Sequence, residues 1–503
     1  MGTTSRLYIV DMGIDTHQEP VAYMRSDCHV CSAEGFGASS RVALVLDDQT
    51  LIASLHVVDN HILPPGHVGL SKIAVRRLGV EHGQSVAVHH APVLTSLRAI
   101  RKKVYGRTLD ATDIENIIVD ISAHRYSDIE IASFLSICAG GRLNVDEIIG
   151  LTRAMVICGR RLNWPGKPLV LDKHCIGGLP GNRTTPLVVA IVSAAGHTIP
   201  KTSSRAITSP AGTADTMEVL TNVNLSMSTI QEVVNETGAC LAWGGAVNLS
   251  PADDLLIRIE RLLDLDGEGQ LIASVLSKKI AAGSTHVVID IPVGATAKVR
   301  SRSQAERLAS LFTYVGDACG IQVRCVITDG SKPIGRGIGP TEEAQDLLAV
   351  LQKDETAPQD LRERALFLAA HLLDMAEQTG FDQALIKATK LLENGSAWAQ
   401  FQRILQAQGA FKSLVPARYQ HQELNATVGT LMEIDNRRLA RLAKLAGAPF
   451  STGAGMRLHV NVGERVELQQ PLFTLFTDTM GEQEYAMNYF QDNKDLFDIK
   501  VSK

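Results

Sequence analysis

The chain has 503 residues, more than one hydrophobic core usually holds, so three or more domains are expected. Its 45% hydrophobic and 20% charged residues are typical of a globular protein in water, and a net charge of -5 gives no indication of nucleic-acid binding. Aromatic residues amount to 5%, no apolar run approaches the ~18 residues of a membrane span, and the first residues lack a secretory signal pattern. We therefore expect a cytoplasmic protein without nucleic-acid or membrane partners.

Residues 1–95 carry short strand-like runs at 7–10, 42–46 and 85–88, separated by turn residues. This pattern predicts an N-terminal β-rich, barrel-like domain. Cys28 and Cys31 have the spacing of a zinc pair, but no second Cys or His pair follows at a ligand distance. The eight scattered cysteines are typical of reduced thiols, and we expect no metal.

From Asp110 the apolar residues follow a helical period, with Asp110 or Thr112 as the N-cap. A later helix begins near Asn144, where Glu147 has capping-box spacing. We predict a small helical domain over 96–166, joined by a segment at about 250–282.

The stretch 168–213 is the most informative part of the chain. An apolar run at 168–171 predicts a strand with Asp172, Lys173 and His174 at its end, followed by a glycine turn and a helix from about 184 to 195. A second loop, 203–213, is rich in hydroxyls. Glycines admit a ligand close to the backbone, and a helix start offers free N–H groups to an anion, so the stretch predicts a phosphate site. Packing alone also produces such turns, and the spacing fits neither common nucleotide signature.

The remainder alternates strands and helices, which predicts a largely parallel sheet in an α/β domain over 167–249 and 283–415. Strands are expected at 286–290 and 323–327. A helix over 271–279 places Ser274 and Lys278 four residues apart on one face. Runs at 428–431, 458–462 and 472–476 predict a C-terminal β-rich domain over 416–503.

Four motifs in register resemble the thymidine phosphorylase and AMP phosphorylase family of pentosyltransferases, in its longer form with an N-terminal β domain. Asp172 to Gly178 reads DKHCIGG and is similar to the family's DKHSTGG phosphate loop. The stretch 203–213 looks like its second phosphate loop. ASVLSKK at 273–279 and TDGSKPIG at 328–335 match two further motifs.

The resemblance implies phosphorolysis, in which phosphate attacks C1′ of a nucleoside and releases the base. Asp266 and His174 fall on candidate catalytic positions, Asp266 as a proton donor to the leaving base. Ser274, Lys278 and Arg261 fall on base-reading positions, and Lys298 on a substrate-binding position. The remaining phosphate and substrate candidates are Lys173, Cys175, Gly178, Thr185, Ser203, Ser204, Arg205, Ala206, Ile207, Thr208, Ser209 and Thr213.

Plainer roles compete with these. His174 can be structural, Asp266 can cap a helix, and Lys298 and Lys278 can be solvated or paired at the surface. Cys175 departs from the family hydroxyl, and a thiol is a weaker hydrogen-bond donor.

Thymidine is the first choice of substrate, and AMP is the alternative that the N-terminal domain and the AITS wording favour. An anthranilate-phosphoribosyltransferase-like enzyme would need a magnesium-binding acidic pair, for which Asp253-Asp254 is the candidate. A non-catalytic small-molecule sensor is the non-enzyme alternative. We expect no cofactor, inorganic phosphate as co-substrate, and a homodimer or larger homo-oligomer.

Overall fold

The structure is a computed structural model that describes residues 6–16, 18–30, 35–38, 41–206, 209–265 and 267–501. Two compact units make up the chain, Met1–Ile137 and Cys138–Lys503. None of the described helices is both long enough and apolar enough to cross a membrane.

The first unit contains a closed barrel of six strands in the order β1-β5-β2-β4-β3-β6. Alternate side chains such as Leu7, Ile9, Val42 and Leu44 fill its interior, as the period of two in the sequence requires. The three predicted strand runs and the barrel-like domain are confirmed. The strands are β1 Arg6–Asp11, β2 Val21–Arg25, β3 Arg41–Leu46, β4 Gln49–Val58, β5 His67–Leu70 and β6 Ser85–His90, with helix α1 Lys72–Leu78 after β5.

Helices follow the barrel, as predicted. Asp110 forms a capping box with Asp113, and Asn144 forms one with Glu147, because each pair satisfies N–H groups that the first turn of a helix leaves free. The helices are α2 Leu97–Val104, α3 Ala111–Ser122, α4 Asp128–Cys138 and, in the second unit, α5 Val145–Ile157.

A parallel sheet in the order β11-β10-β7 lies at the centre of the second unit. A parallel bridge between Val170 and Thr198 connects it to a second parallel pair, β8 and β9. The predicted parallel arrangement is therefore confirmed. The strands are β7 Leu171–Cys175, β8 Ile199–Ser203, β9 Ala239–Trp243, β10 His286–Val293 and β11 Gln322–Asp329.

Helices cover this sheet. One of them, α6 (Thr184–Ala194), is buried on every side, because its sequence is apolar from residue 186 to residue 192 and because α13 (Gln359–Glu377) and α15 (Ser396–Ala407) pack on it. The helices are α6 Thr184–Ala194, α7 Thr213–Glu218, α8 Met227–Thr237, α9 Pro251–Leu263, α10 Glu268–Ala281, α11 Arg302–Ala318, α12 Pro340–Gln352, α13 Gln359–Glu377, α14 Phe381–Glu393 and α15 Ser396–Ala407.

The strand that carries the first site residues begins later than the sequence predicts. We expected a strand over 168–171 that ends before Asp172, whereas β7 spans Leu171–Cys175 and contains Asp172, Lys173 and His174. Pro168 cannot donate a ladder hydrogen bond, which disfavours the earlier start. The polar side chains are tolerated inside the strand because Asp172 and Lys173 find buried partners.

The C-terminal part combines two small antiparallel sheets with two helices that the sequence analysis did not predict. The expected strand at 458–462 is wrong, because β15 ends at Leu458 and Asn461 with Glu464 closes a turn. The elements are β12 Gly337–Ile338, β13 Tyr419–Leu424, β14 Gly429–Ile434, β15 Gly455–Leu458, β16 Arg465–Val466, β17 Pro471–Thr477, β18 Phe497–Val501, α16 Asn436–Leu445 and α17 Met480–Asp492.

Phe312 on α11 is fully buried in the core beside β10, whereas Tyr314 on the same helix is 61% exposed. We predict that Phe312→Ala lowers the free energy of unfolding by about 3–5 kcal/mol, because it leaves a cavity that the core only partly closes. Tyr314→Ala is the matched control and should change it by less than about 0.5 kcal/mol.

Tryptophan fluorescence during urea unfolding is the measurement. The three tryptophans, Trp164, Trp243 and Trp398, all lie in the unit that contains Phe312, so the signal reports on that unit. Equal shifts of the unfolding midpoint for the two variants would contradict the burial of Phe312 in this core.

Candidate active site

The first loop, 176–183, follows β7 and is pressed against two other segments of the sheet edge. A Cβ on Gly178 would lie 2.5 Å from the backbone N of Lys298, in the segment after β10. A Cβ on Gly181 would lie 2.3 Å from the carbonyl O of Ile334, in the segment after β11. Both glycines also have positive φ values, 93° and 71°, so the backbone conformation as well as the lack of space favours glycine at each position.

Lys173 lies in β7, two residues before the strand ends, and its side chain is fully buried. Its Nζ donates to Thr184 Oγ1 at 2.9 Å and to Thr185 Oγ1 at 3.4 Å, the first two residues of α6. Among the described residues no carboxylate lies within ion-pair distance of this ammonium. A buried cation without a counter-charge, at the start of a helix, is the arrangement that an oxyanion would complete.

The second loop, 203–213, is held by carboxylates. Asp215 accepts from the backbone N of Ala206 at 2.6 Å and of Gly212 at 2.8 Å. Arg205 donates to Glu218 and Asp215, and its guanidinium lies 4.7 Å from the ring centre of Trp243. These contacts occupy Arg205, so it orders the loop and offers little to a ligand.

Arg183, the N-cap of α6, joins the two loops. Its guanidinium donates to Thr213 Oγ1 at 2.9 Å and to the carbonyl of Ala211 at 2.7 Å. Its Nε donates to the buried carboxylate of Glu343 at 2.6 Å. The two loops therefore converge at the carboxyl ends of β7 and β8, where open α/β sheets bind ligands.

Ser203 ends β8, and its buried hydroxyl has no hydrogen-bond partner within the described parts of the chain. Ser204 is exposed, and Ser209 Oγ donates to the carbonyl of Ala211 at 2.8 Å. The structure thus leaves Ser203 available to a ligand.

Ser274 and Lys278 lie one above the other on α10, as the spacing predicts. Lys278 Nζ is 3.2 Å from Ser274 Oγ and 2.6 Å from Asp253 Oδ2 on α9. Asp253 is fully buried, and its Oδ1 has no partner among the described residues. The ammonium is therefore fixed in place by a charge-assisted contact.

His174 is surrounded by cations. Burial lowers the pKa of its imidazole well below the usual value, and the charges of Lys279, Lys201, Lys278 and Lys173 lower it further. The imidazole is therefore neutral at neutral pH. It can hold a hydrogen bond, but it does not store a proton for a leaving group.

Cys175 is held in its protonated form. Burial raises the pKa of its thiol to about 12, and the neighbouring carboxylate of Asp290 adds to the effect. Asn182 Nδ2 lies 3.5 Å from Cys175 Sγ, and Thr328 donates to Asp290 at 2.6 Å. The thiol therefore belongs to a polar chain across the sheet.

The structure brings most of the sequence-predicted residues to the two loops and α10, but Arg261 is exposed and its charge acts on Lys444 of α16. Asp266, Ile207, Thr208 and Cys31 lie outside the described residues.

Sequence reasoning missed several residues of the site. Arg183 directly precedes the helix that begins at Thr184, so the predicted start of this helix could have indicated that Arg183 lies at the site. Lys279 stands in the quoted ASVLSKK motif beside Lys278. Lys201 gave no signal, and Asp253 was considered only as part of an acidic pair for magnesium, because the importance of both depends on partners distant in sequence.

The acidic pair Asp253-Asp254 does not resemble a magnesium site, since the carboxylate of Asp253 already pairs with Lys278. Within the described residues, no three His, Cys, Asp or Glu side chains come together as metal ligands would.

Three family models match successive parts of the chain. A glycosyl transferase helical bundle domain matches residues 97–158, a glycosyl transferase a/b domain matches 167–398, and a pyrimidine nucleoside phosphorylase C-terminal domain matches 430–496.

Full-length relatives are similar along the whole chain. A protein of Acidovorax sp. (strain JS42) named "Putative thymidine phosphorylase 2" is 54% identical over 98% of this chain and 96% of its own length. One of Hahella chejuensis (strain KCTC 2396) named "Putative thymidine phosphorylase" is 50% identical over 97% of this chain and 96% of its own length.

The fold is also that of anthranilate phosphoribosyltransferase from Thermus thermophilus, with a TM-score of 0.52 and 20% identity. The match covers 62% of this chain and 99% of that one.

We predict that Cys175 reacts with iodoacetamide at pH 8 about a thousandfold more slowly in the folded protein than in the unfolded chain. A pKa near 12 leaves little of the reactive thiolate, whereas an ordinary thiol has a pKa of about 8.5. Mass spectrometry of the Cys175 peptide measures the rate, and the chain in urea is the control. Similar rates in both states would contradict the buried thiol.

Proposed function

The chain belongs to the glycosyl transferase family of the thymidine phosphorylases, and on this premise we propose that it splits a nucleoside with inorganic phosphate, thymidine being the first substrate. A phosphate oxygen forms a bond to C1′ of the pentose while the bond from C1′ to the base breaks. The base leaves with the electron pair. The products are thymine and 2-deoxyribose 1-phosphate, and the reaction needs no metal or organic cofactor.

One observation carries the proposal: the ammonium of Lys173 is buried, bound to two hydroxyls at the start of α6, and within ion-pair distance of no carboxylate of the described chain. A phosphate dianion supplies the missing negative charge. The free hydroxyl of Ser203 and the backbone N–H groups of the loop are further donors for its oxygens. A nucleophile held this way is oriented before it reacts.

The base has to lie beyond the phosphate, and Ser274 and Lys278 offer it a hydroxyl and a fixed ammonium. A leaving base gains negative charge, which a cation or a proton stabilises. Since His174 is neutral, we assign the proton donor to Asp266, as the family resemblance implies; general acid help of this kind contributes about 10²–10⁴-fold.

AMP is the second candidate substrate. Lys298 belongs to the segment that presses against the first loop, since its backbone N is the atom nearest to a Cβ built on Gly178, so a second cationic residue borders this loop. A 5′-phosphate on the nucleoside would use such a cation. The products would be adenine and ribose 1,5-bisphosphate.

The test is release of the base. The purified protein is incubated with phosphate and either thymidine or AMP, and free thymine or adenine is measured by chromatography. Thymine release supports the proposal, and adenine release without thymine replaces it with the AMP reaction. Release of neither base contradicts both and favours a non-catalytic binding protein.

We predict that Lys173→Met raises the KM for phosphate at least about tenfold and changes the KM for the nucleoside less, because it removes the buried cation from the phosphate site. Steady-state kinetics at varied phosphate measures this. Lys390→Met, at an exposed position of α14, is the control. An unchanged phosphate KM in Lys173→Met would remove this lysine from the phosphate site.

A further inference from the structure

Two buried lysines share a single carboxylate behind the first loop. Lys201 Nζ on β8 lies 3.1 Å from Asp172 Oδ1, and Lys279 Nζ on α10 lies 2.9 Å from Asp172 Oδ2. Each of the three side chains is at most 5% exposed. Ser284 Oγ also donates to Asp172 at 3.3 Å. We name this group the Asp172 triad; with both lysines charged it carries one uncompensated positive charge.

The neighbouring groups on β7, α10 and β9 do not balance that charge. The buried carboxylate of Asp290 on β10 lies opposite Cys175, on the other face of the sheet from Asp172. On β7, Lys173 adds a cation and His174 is neutral. On α10, Lys278 is already paired with Asp253. On β9, Cys240 stays protonated because burial raises the pKa of its thiol to about 12.

We propose that binding of an oxyanion in the first loop is coupled to the uptake of a proton from solvent by Lys279 of the Asp172 triad. The inference rests on the proposed phosphate site, because the bound anion is what supplies the missing negative charge. An empty site holds a surplus of positive charge away from water, which favours a neutral lysine. A filled site favours the ammonium.

The electrostatics of Lys279 agree with this. Burial lowers the pKa of Lys279 to about 7, the charge of Lys201 lowers it too, and Asp172 opposes both. Burial by itself would raise the pKa of Asp172, but the two lysines lower it, so the carboxylate stays charged. At neutral pH the total charge of the triad is therefore zero when Lys279 is neutral and plus one when Lys279 is protonated, and both states are populated.

Lys279 is coupled to the loop through β7. It is the first of the charges that lower the pKa of His174, the residue next to Lys173. An anion near Lys173 therefore acts on Lys279 through a region that water does not screen well. Lys279 need not touch the anion, so it is a positioning and charge-balancing residue.

Calorimetric titration with sulfate tests the inference. Sulfate remains a dianion between pH 6 and 9, so any proton exchanged with the buffer on binding is gained or lost by the protein. Titrations in two buffers with different ionisation enthalpies give the number of protons taken up. We expect about half a proton per sulfate at pH 7, because Lys279 is then about half charged in the empty site.

The affinity should follow the same linkage. A group that must be protonated in the complex makes binding weaker as the pH rises above its pKa in the empty site. With that pKa about 7, the Kd for sulfate should rise about tenfold between pH 6 and pH 8.

Two variants isolate the triad. Lys279→Met and Lys201→Met each leave one lysine opposite Asp172, which restores an ordinary ion pair that is charged before sulfate binds. Both should bind sulfate without proton uptake and with a nearly constant Kd between pH 6 and pH 8. Lys390→Met on α14 is exposed and should behave as the wild type.

Each outcome has one meaning. Sulfate binding without proton uptake in the wild type overturns this inference and leaves the phosphate site standing. Proton uptake that persists in both triad variants would show that another group takes up the proton, which also overturns this inference. If sulfate does not bind, phosphate is titrated instead, with a correction for its own ionisation. Failure of both anions contradicts the proposed phosphate site itself, and this inference with it.

Discussion

The carboxylate of Asp172 is the interaction on which the site depends. It lies fully buried in β7 and binds the ammonium groups of Lys201 and Lys279, so one side chain joins β7, β8 and α10. Removing the carboxylate of Asp172 would leave two buried ammonium groups without a counter-charge, which is far more damaging than losing a surface pair. This contact therefore holds together the three elements that carry the two loops and the base-reading residues.

Around this centre the loops are ordered by fixed contacts. Carboxylates hold the second loop, through Asp215 on its backbone and Glu218 on Arg205, and Arg183 ties it to the start of α6. A site ordered before the ligand arrives avoids the entropy of ordering it afterwards. The cations that remain without a counter-charge, Lys173 above all, give this ordered pocket its preference for an anion.

The likeness to anthranilate phosphoribosyltransferase, at 20% identity, shows a shared fold. In this chain the carboxylate of Asp253 neutralises Lys278. Function in such a fold is decided by a few side chains at the strand ends, and the fold alone does not indicate the substrate. The substrate of this chain therefore depends on how Ser274 and Lys278 meet a base.

Local patterns in the sequence were enough to predict the barrel strands, the capped helices, the parallel sheet and the placement of Ser274 and Lys278 on one helix face, because each rests on a period or spacing of a few residues. They misplaced β7 and did not predict the C-terminal helices α16 and α17. Only the tertiary structure decided that Arg205 is occupied, that His174 is neutral and that Lys201 and Lys279 share Asp172. The reason is physical: charge, burial and pKa depend on partners far apart in the chain, such as Asp172 and Lys279 at a separation of 107 residues, and no local pattern records them.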